Sequence, residues 1–287
     1  ESCDPDIDSG GTVTVPNLPR LSFRQRDFES FKRKPLRLQP ESDTPQILTF
    51  PTWMEGSWDV DVFPAEISFP YDHKIPAEEV RKDLRIPGFS ACSVIHCPDM
   101  GKAFSFQARY YREDPLSPVI EDAAFNLQNA INANLGYPAV AVMNDLDNES
   151  QRIELCLLKR PAVTHSYVSV EGFHPESDEN EDVSYTAQTF REFWFGPLDK
   201  DESPRQLVSV YQRILAVRRA ENPYDDVYFD NKSEFDDSKL EGILYTIAHL
   251  PSDSPLLKQY GITTRDPIAV YAQKLRFRKR QHDVDVT

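Results

Sequence analysis

The sequence predicts a mainly β fold: a closed antiparallel barrel of about eight to ten strands, with one inserted α-helix and an N-terminal arm. Three observations carry this expectation. Apolar and polar residues alternate with period two in one stretch after another between Gly56 and Phe277. The stretches follow each other across turns with few helical patterns between them, which points to antiparallel neighbours. Several exceed the usual length of about five or six residues, as tilted barrel staves do, and closure removes the edges that a large open sheet would leave.

Taken in order, residues 1–48 read as an extended arm, 49–280 as the barrel domain and 281–287 as a tail. The arm opens acidic and then turns basic, with Arg20, Arg24, Arg26, Lys32, Arg33, Lys34 and Arg37 interleaved with Phe23, Phe28 and Phe31. Phe28 and Phe31 lie three apart, a spacing that shows both on one face of a short helix. Such a segment docks on an acidic partner or an anionic membrane surface, or it drapes over its own domain and buries the phenylalanines there.

The first strand is expected at 56–63, where Trp58, Val60 and Val62 alternate with Asp59 and Asp61. A strand at 89–96 and another at 104–110 follow, the latter setting Phe104, Phe106, Ala108 and Tyr110 against Ser105, Gln107 and Arg109. Residues 118–135 break the pattern, because Ile120, Ala124, Leu127 and Ile131 recur at helical spacing. Strands then return at 138–143, 153–157, 162–170, 183–195, 206–217, 240–250 and 268–277, with a short helical turn at 254–260. Trp58, Val60, Phe104, Phe106, Tyr110, Tyr167 and Tyr245 are the candidate lining of the barrel interior. On the strand at 206–217 the neighbours of Tyr211 and Arg213 are apolar on both faces, so parity does not say which face is inside.

Composition excludes several functions. Lys and Arg number 32 against 47 Asp and Glu, a net charge of −15. A phosphate-tracking nucleic-acid binder needs clustered cations, so none is expected. No run of about 18 apolar residues offers a transmembrane segment. The chain begins at Glu1, from which a targeting peptide that was removed or that lies outside this sequence is expected. There is no Gly-x-Ser-x-Gly, Gly-x-Gly-x-x-Gly, phosphate-loop or His-Glu-x-x-His motif, so no catalytic residue is assigned and no enzyme is expected.

The cysteines are Cys3, Cys92, Cys97 and Cys156. Cys92 and Cys97 with His96 lack the second pair that a zinc site wants, leaving a disulfide across a turn or free thiols as the readings. The acidic loops at 175–182 and 221–241 lack the ligand spacing of a calcium loop, so no metal is expected. Tyr224, Tyr228 and Phe229 make the second loop a docking candidate beside Arg24, Arg26, Lys32, Arg33 and Lys34 of the arm. A tetrapyrrole in the barrel would want an inward histidine. His165 and His249 are the candidates, His249 sharing parity with Ile243, Tyr245 and Ile247; the plainer reading is a hydrogen-bonded histidine near the rim. Sequons stand at Asn148 and Asn231.

The triplet Gly56-Ser57-Trp58 resembles the Gly-x-Trp of lipocalin-type barrels, the calycins. That resemblance implies a Trp that plugs the closed barrel end, with Arg276 or Arg278 of the last strand stacked across it as a cation–π contact. The longer stretch from Phe50 through Pro51, Trp53, Gly56 and Trp58 to Val60 is similar to an uncharacterised family of cyanobacterial and plastid proteins. The similarity runs on through Ile86-Pro87-Gly88-Phe89, the segment 104–109, Asp122-Ala123-Ala124-Phe125-Asn126, Thr189-Phe190-Arg191 and the segment 269–276. It spans about residues 50–278, departing at Cys92–Cys97 and in the acidic insertions.

The resemblance implies a calycin-like barrel in the chloroplast, in the thylakoid lumen. The expected function is non-enzymatic: holding a small apolar ligand such as a pigment, lipid or tetrapyrrole, or docking on a photosynthetic membrane complex. The alternative is an assembly subunit of such a complex with a solid barrel and no ligand.

Overall fold

The computed structural model describes residues 13–14, 48–89, 99–145, 152–158, 165–176, 183–195, 206–220 and 238–280. Within them lie twelve strands of one antiparallel sheet. These are β1 (Val13–Thr14), β2 (Thr49–Phe50), β3 (Gly56–Ser68), β4 (Phe104–Tyr111), β5 (Val119–Glu121), β6 (Val140–Asp145), β7 (Arg152–Leu157), β8 (His165–Glu176), β9 (Val183–Phe195), β10 (Gln206–Arg219), β11 (Lys239–His249) and β12 (Pro267–Lys279). Three helices accompany them: α1 (Ala77–Lys82), α2 (Ala123–Leu135) and α3 (Pro255–Tyr260). The pairing order is β2-β5-β4-β3-β12-β11-β10-β9-β8-β7-β6, with β1 alongside β3.

From β6 to β12 the chain meanders, each strand pairing with the next, and β12 then pairs back with β3. Last-to-first pairing is what an up-and-down barrel requires, and the expected alternation produces it. Trp58, Val60 and Val62 of β3 are buried, while Asp59 and Asp61 face the other way. Register shifts at Ala248/His249 and Ala272/Gln273 mark irregularities that bend the long strands and curl the sheet.

The closed barrel expected from sequence is corrected here: the sheet is an open half-barrel. Its two ends, β5–β2 beyond β4 and β6, do not pair with each other. The gap falls where the helix enters the chain, between β5 and β6. The expected helix at 118–135 is shorter than its periodicity suggested, because Val119–Glu121 joins the sheet beside β4. Asp122 then caps α2, its carboxylate accepting from the Phe125 N–H at 3.2 Å, and Gly136 ends it in the left-handed conformation, φ 79°.

Helix α2 occupies the seam and takes over the bonding that strand pairing would have supplied. On the β4 side, Asn126 Oδ1 accepts from the Arg109 N–H at 2.6 Å and Asn126 Nδ2 donates to the Arg109 carbonyl at 3.1 Å. On the β6 side, Asn132 Oδ1 accepts from the N–H groups of Ala139 and Val140 at 2.8 and 3.0 Å, while its Nδ2 donates to the Val140 carbonyl at 3.2 Å. Gln128 Oε1 accepts from the Val142 N–H at 3.4 Å. The Arg109 guanidinium stacks 3.6 Å from the Phe125 ring centre, fastening the helix to β4. Unpaired edge groups are costly when buried, and amide side chains answer both a donor and an acceptor.

Two apolar clusters fill the inner face. One gathers Leu48, Phe50, Met54, Trp58, Val60, Val62, Tyr110, Leu240, Leu244, Leu275 and Phe277. The other joins Val140, Leu155, Phe190, Tyr211 and Tyr271 to Leu127 and Ile131 of α2, and to Phe69, Ile75, Ile86 and Leu256 from the connecting segments. Gly88, at φ 106°, lets its segment lie on β12: a Cβ there would stand 2.3 Å from the Tyr271 ring. Arg85 holds this segment with a two-pronged contact to Asp83 at 2.9 Å and a third bond to Asp253 at 2.8 Å. The segment expected to be a strand from Phe89 to His96 begins instead as a bend at Phe89, which packs on Phe69 and Tyr271; residues 90–98 lie outside those described.

Candidate ligand site inside the half-barrel

The strand register fixes which side chains face inward. Arg213 of β10 pairs with Gln188 of β9 and Thr246 of β11, and Thr246 in turn with Tyr271 of β12. Tyr211 and Tyr271 belong to the inner cluster, so Gln188, Arg213 and Thr246 share that inner face. Two inward positions along β10 and β9, beyond the Tyr211–Phe190 pair, Ser209 and Glu192 are paired and completely buried on the same face. Gln188, Arg213 and Thr246 thus form a row of hydrogen-bonding groups on the inner face, with Ser209 and Glu192 as a second polar pair past Tyr211 and Phe190.

Electrostatics ties this row to the opposite end of the sheet. The Tyr110 phenol and the Glu121 carboxyl, on β4 and β5, both feel the Arg213 guanidinium. Burial pushes the Glu121 carboxyl above the ordinary carboxylate range, with Arg213 and a hydrogen bond from Asn126 pulling back. Burial also drives the Tyr110 phenol far upward, helped by the Glu121 charge, so it remains a neutral O–H. The hydroxyls of Ser209 and Thr246, both buried, have no hydrogen-bond partner among the described residues. Gln273, in the neighbouring row, donates from Nε2 to the Met100 carbonyl at 3.4 Å. Together Arg213, Tyr110 and Thr246 offer donors, and Glu121 a proton held more tightly than usual. That set can receive an acceptor-rich head group whose apolar body lies against either cluster.

The sequence-based candidates divide. Trp58, Val60 and Tyr110 are buried on the inner face, and Phe104 and Phe106 pack half-buried against the same cluster. Trp58 is fully buried, donating from Nε1 to the Met54 carbonyl at 2.8 Å with Phe277 edge-on. The cation over its ring is Lys279, 5.4 Å from the centre, and not Arg276. Register explains the correction. Lys279 pairs directly with Trp58, whereas Arg276 pairs with Asp61 on the opposite face and sits over Phe63. Arg278 also faces outward, 2.9 Å from Asp61.

Tyr245 and His249 are corrected as well. Tyr245 packs with Ile214, Ile247 and Val270, a cluster on the outer face. His249 is buried at the end of that outer row, beside Asp266, and burial holds its imidazole neutral down to about 4. Their shared parity was read correctly and assigned to the wrong side. His165 and Tyr167 lie on β8, paired with Cys156 and Glu154, and their side chains fall outside the description. Arg24, Arg26, Lys32, Arg33, Lys34, Tyr224, Tyr228 and Phe229 also lie outside the described residues, as do Cys92, His96, Cys97 and both sequons.

Arg213, Thr246, Ser209, Glu192 and Glu121 were not singled out as site residues. Their only sequence signal is a polar residue at a position whose neighbours two along are apolar, and on β10 both faces carry that pattern. Comparison with protein-family models, with curated proteins and with solved structures finds no match. No helix among the described residues is long and apolar enough to cross a membrane.

Proposed function

We propose that this protein is a non-enzymatic carrier or holder of a small, mostly apolar molecule with a hydrogen-bond-accepting head, kept inside the half-barrel. The observation that supports it most directly is the set of buried Thr246 and Tyr110 with half-buried Arg213 and Glu121, on the inner face with the two apolar clusters. Buried hydroxyls normally find a partner, and those of Ser209 and Thr246 have none among the described residues. A lipid- or pigment-like acid supplies an acceptor for such hydroxyls. Its head group takes the donors, close to Glu121, whose carboxyl burial pushes above the ordinary carboxylate range. A chloroplast, thylakoid-lumen location and a photosynthetic partner rest on the family resemblance and belong to the same proposal.

The alternative, an assembly subunit with a solid interior, is favoured by the close fit of Gly88 on Tyr271 and by the packing around Trp58. The two are separated by titrating the full chain with cis-parinaric acid and with its alcohol, in the wild type and in Arg213→Gln. The ligand reading expects the acid to bind more tightly than the alcohol, and that preference to vanish in the variant.

A further inference from the structure

Two polar levels face the interior, and the head-group site takes one of them. Arg213 and Thr246 are directly paired in the first. The next inward position on β10 is Tyr211, paired with Phe190 of β9, and their rings stack with centres 5.4 Å apart and planes 17° from parallel. Past this aromatic step Ser209 and Glu192 make the second level, directly paired and completely buried. The β9–β10 register shifts immediately afterwards, between Leu207 and Ser209. Bulges of this kind end regular pairing and re-aim side chains next to sites.

A layer that only filled space would be apolar at both positions, because a buried hydroxyl or carboxyl costs free energy unless it is answered. Ser209 and Glu192 are cross-strand partners, yet they do not bond each other: the Ser209 Oγ has no hydrogen-bond partner among the described residues. A ligand hydroxyl set between them accepts from Ser209 and donates to Glu192, using both of its functions. Ser209 stands four residues from Arg213 on β10, so the two levels are roughly 13 Å apart, the span of a chain of about ten carbons. Tyr211 and Phe190, both in the apolar cluster, offer the surface on which that chain lies.

We infer that the second level is a hydroxyl subsite, and that the ligand is a long-chain acid with a hydroxyl in mid-chain, its carboxylate at Arg213 and its hydroxyl between Ser209 and Glu192. This rests on the acid-binding reading of the interior. It is tested by displacing cis-parinaric acid from the intact full chain with oleic acid and with ricinoleic acid, which differ by a single mid-chain hydroxyl. A hydroxyl buried without a partner weakens binding, so a preference for ricinoleic acid reports one. The expected result is displacement at about tenfold lower concentration of ricinoleic than of oleic acid, the scale of one hydrogen bond to a charged group. Ser209→Ala brings ricinoleic acid to the level of oleic acid; should that variant fail to fold, the wild-type comparison decides. Arg213→Gln weakens both acids alike and keeps the preference.

Equal displacement by the two acids, or tighter binding of oleic acid, overturns the hydroxyl subsite while the acid site stands. A preference that survives Ser209→Ala overturns its placement at Ser209 and Glu192. A chain with no saturable site for cis-parinaric acid overturns the acid-binding reading itself, and the subsite with it.

Discussion

Trp58 shows how much a single side chain organises. Its indole N–H is bonded to the Met54 carbonyl, its ring meets Phe277 edge-on at 6.3 Å, and the Lys279 ammonium sits above it. Trp58→Ala is expected to cost about 3–5 kcal/mol in urea unfolding, since it removes a fully buried aromatic ring. Lys279→Ala is expected to cost no more than about 1 kcal/mol, the scale of an exposed cation–π contact. The Gly-x-Trp triplet was legible in the sequence, whereas its cation was expected at Arg276 or Arg278 and is Lys279. Leu275, Phe277 and Lys279 share one parity and Arg276 and Arg278 the other, so alternation along β12 already favours the lysine.

His249 makes the second prediction at this scale. Its folded pKa lies near 4, below the ordinary value of 6.5, and the cause is burial. Between those values the unfolded chain binds the proton and the folded chain does not. Stability is therefore full above about pH 6.5 and falls as pH drops toward 4. His249→Gln should flatten that part of the pH–stability curve; an unchanged slope contradicts the assignment.

At the scale of elements, α2 is the feature that separates this sheet from a barrel. Asn126, Gln128 and Asn132 hold the backbone edges of β4 and β6 in place of a strand. Asn132→Leu leaves the N–H groups of Ala139 and Val140 without their acceptor, and should cost roughly 1–3 kcal/mol, the penalty for buried groups left unpaired. Hydrogen exchange at Ala139 and Val140 should accelerate while the β11–β12 pairing stays protected. Asn129→Ala, which loses only a bond to Phe125 in its own helix, should leave both unchanged. The helix itself was legible from its periodicity. Its role was not, because a side-chain amide bonded to a strand edge leaves no periodic trace. The same limit explains α1, whose single turn and a half is too short for periodicity. Its signature is Pro76 at the start, Glu78 and Glu79 in the first turn, and Arg81 and Lys82 in the last.

For the whole molecule, alternation gave the mainly antiparallel β class and the long strands; the β12–β3 pairing is what the expected barrel implied. Closure was inferred from edge avoidance, and the sequence satisfies that pressure by another route, a helix in the seam. Alternation also leaves inside and outside undetermined wherever both faces are apolar. That is why Tyr245 and His249 were placed with the interior, and why Arg213 went unassigned. The architecture that results sets two apolar clusters and a polar row on one inner face, open along a seam that a helix fills. Such an interior is either a site or a mixed core, and the difference lies in whether Arg213 answers a ligand.

The titration of the intact chain with cis-parinaric acid and the corresponding alcohol tests this most directly. The account predicts one saturable site that prefers the acid by about tenfold, the scale of one charge-assisted hydrogen bond over a neutral one, and a loss of that preference in Arg213→Gln. Equal, unsaturable uptake of both probes, unaffected by Arg213→Gln, would contradict it and leave the interior as a solid core.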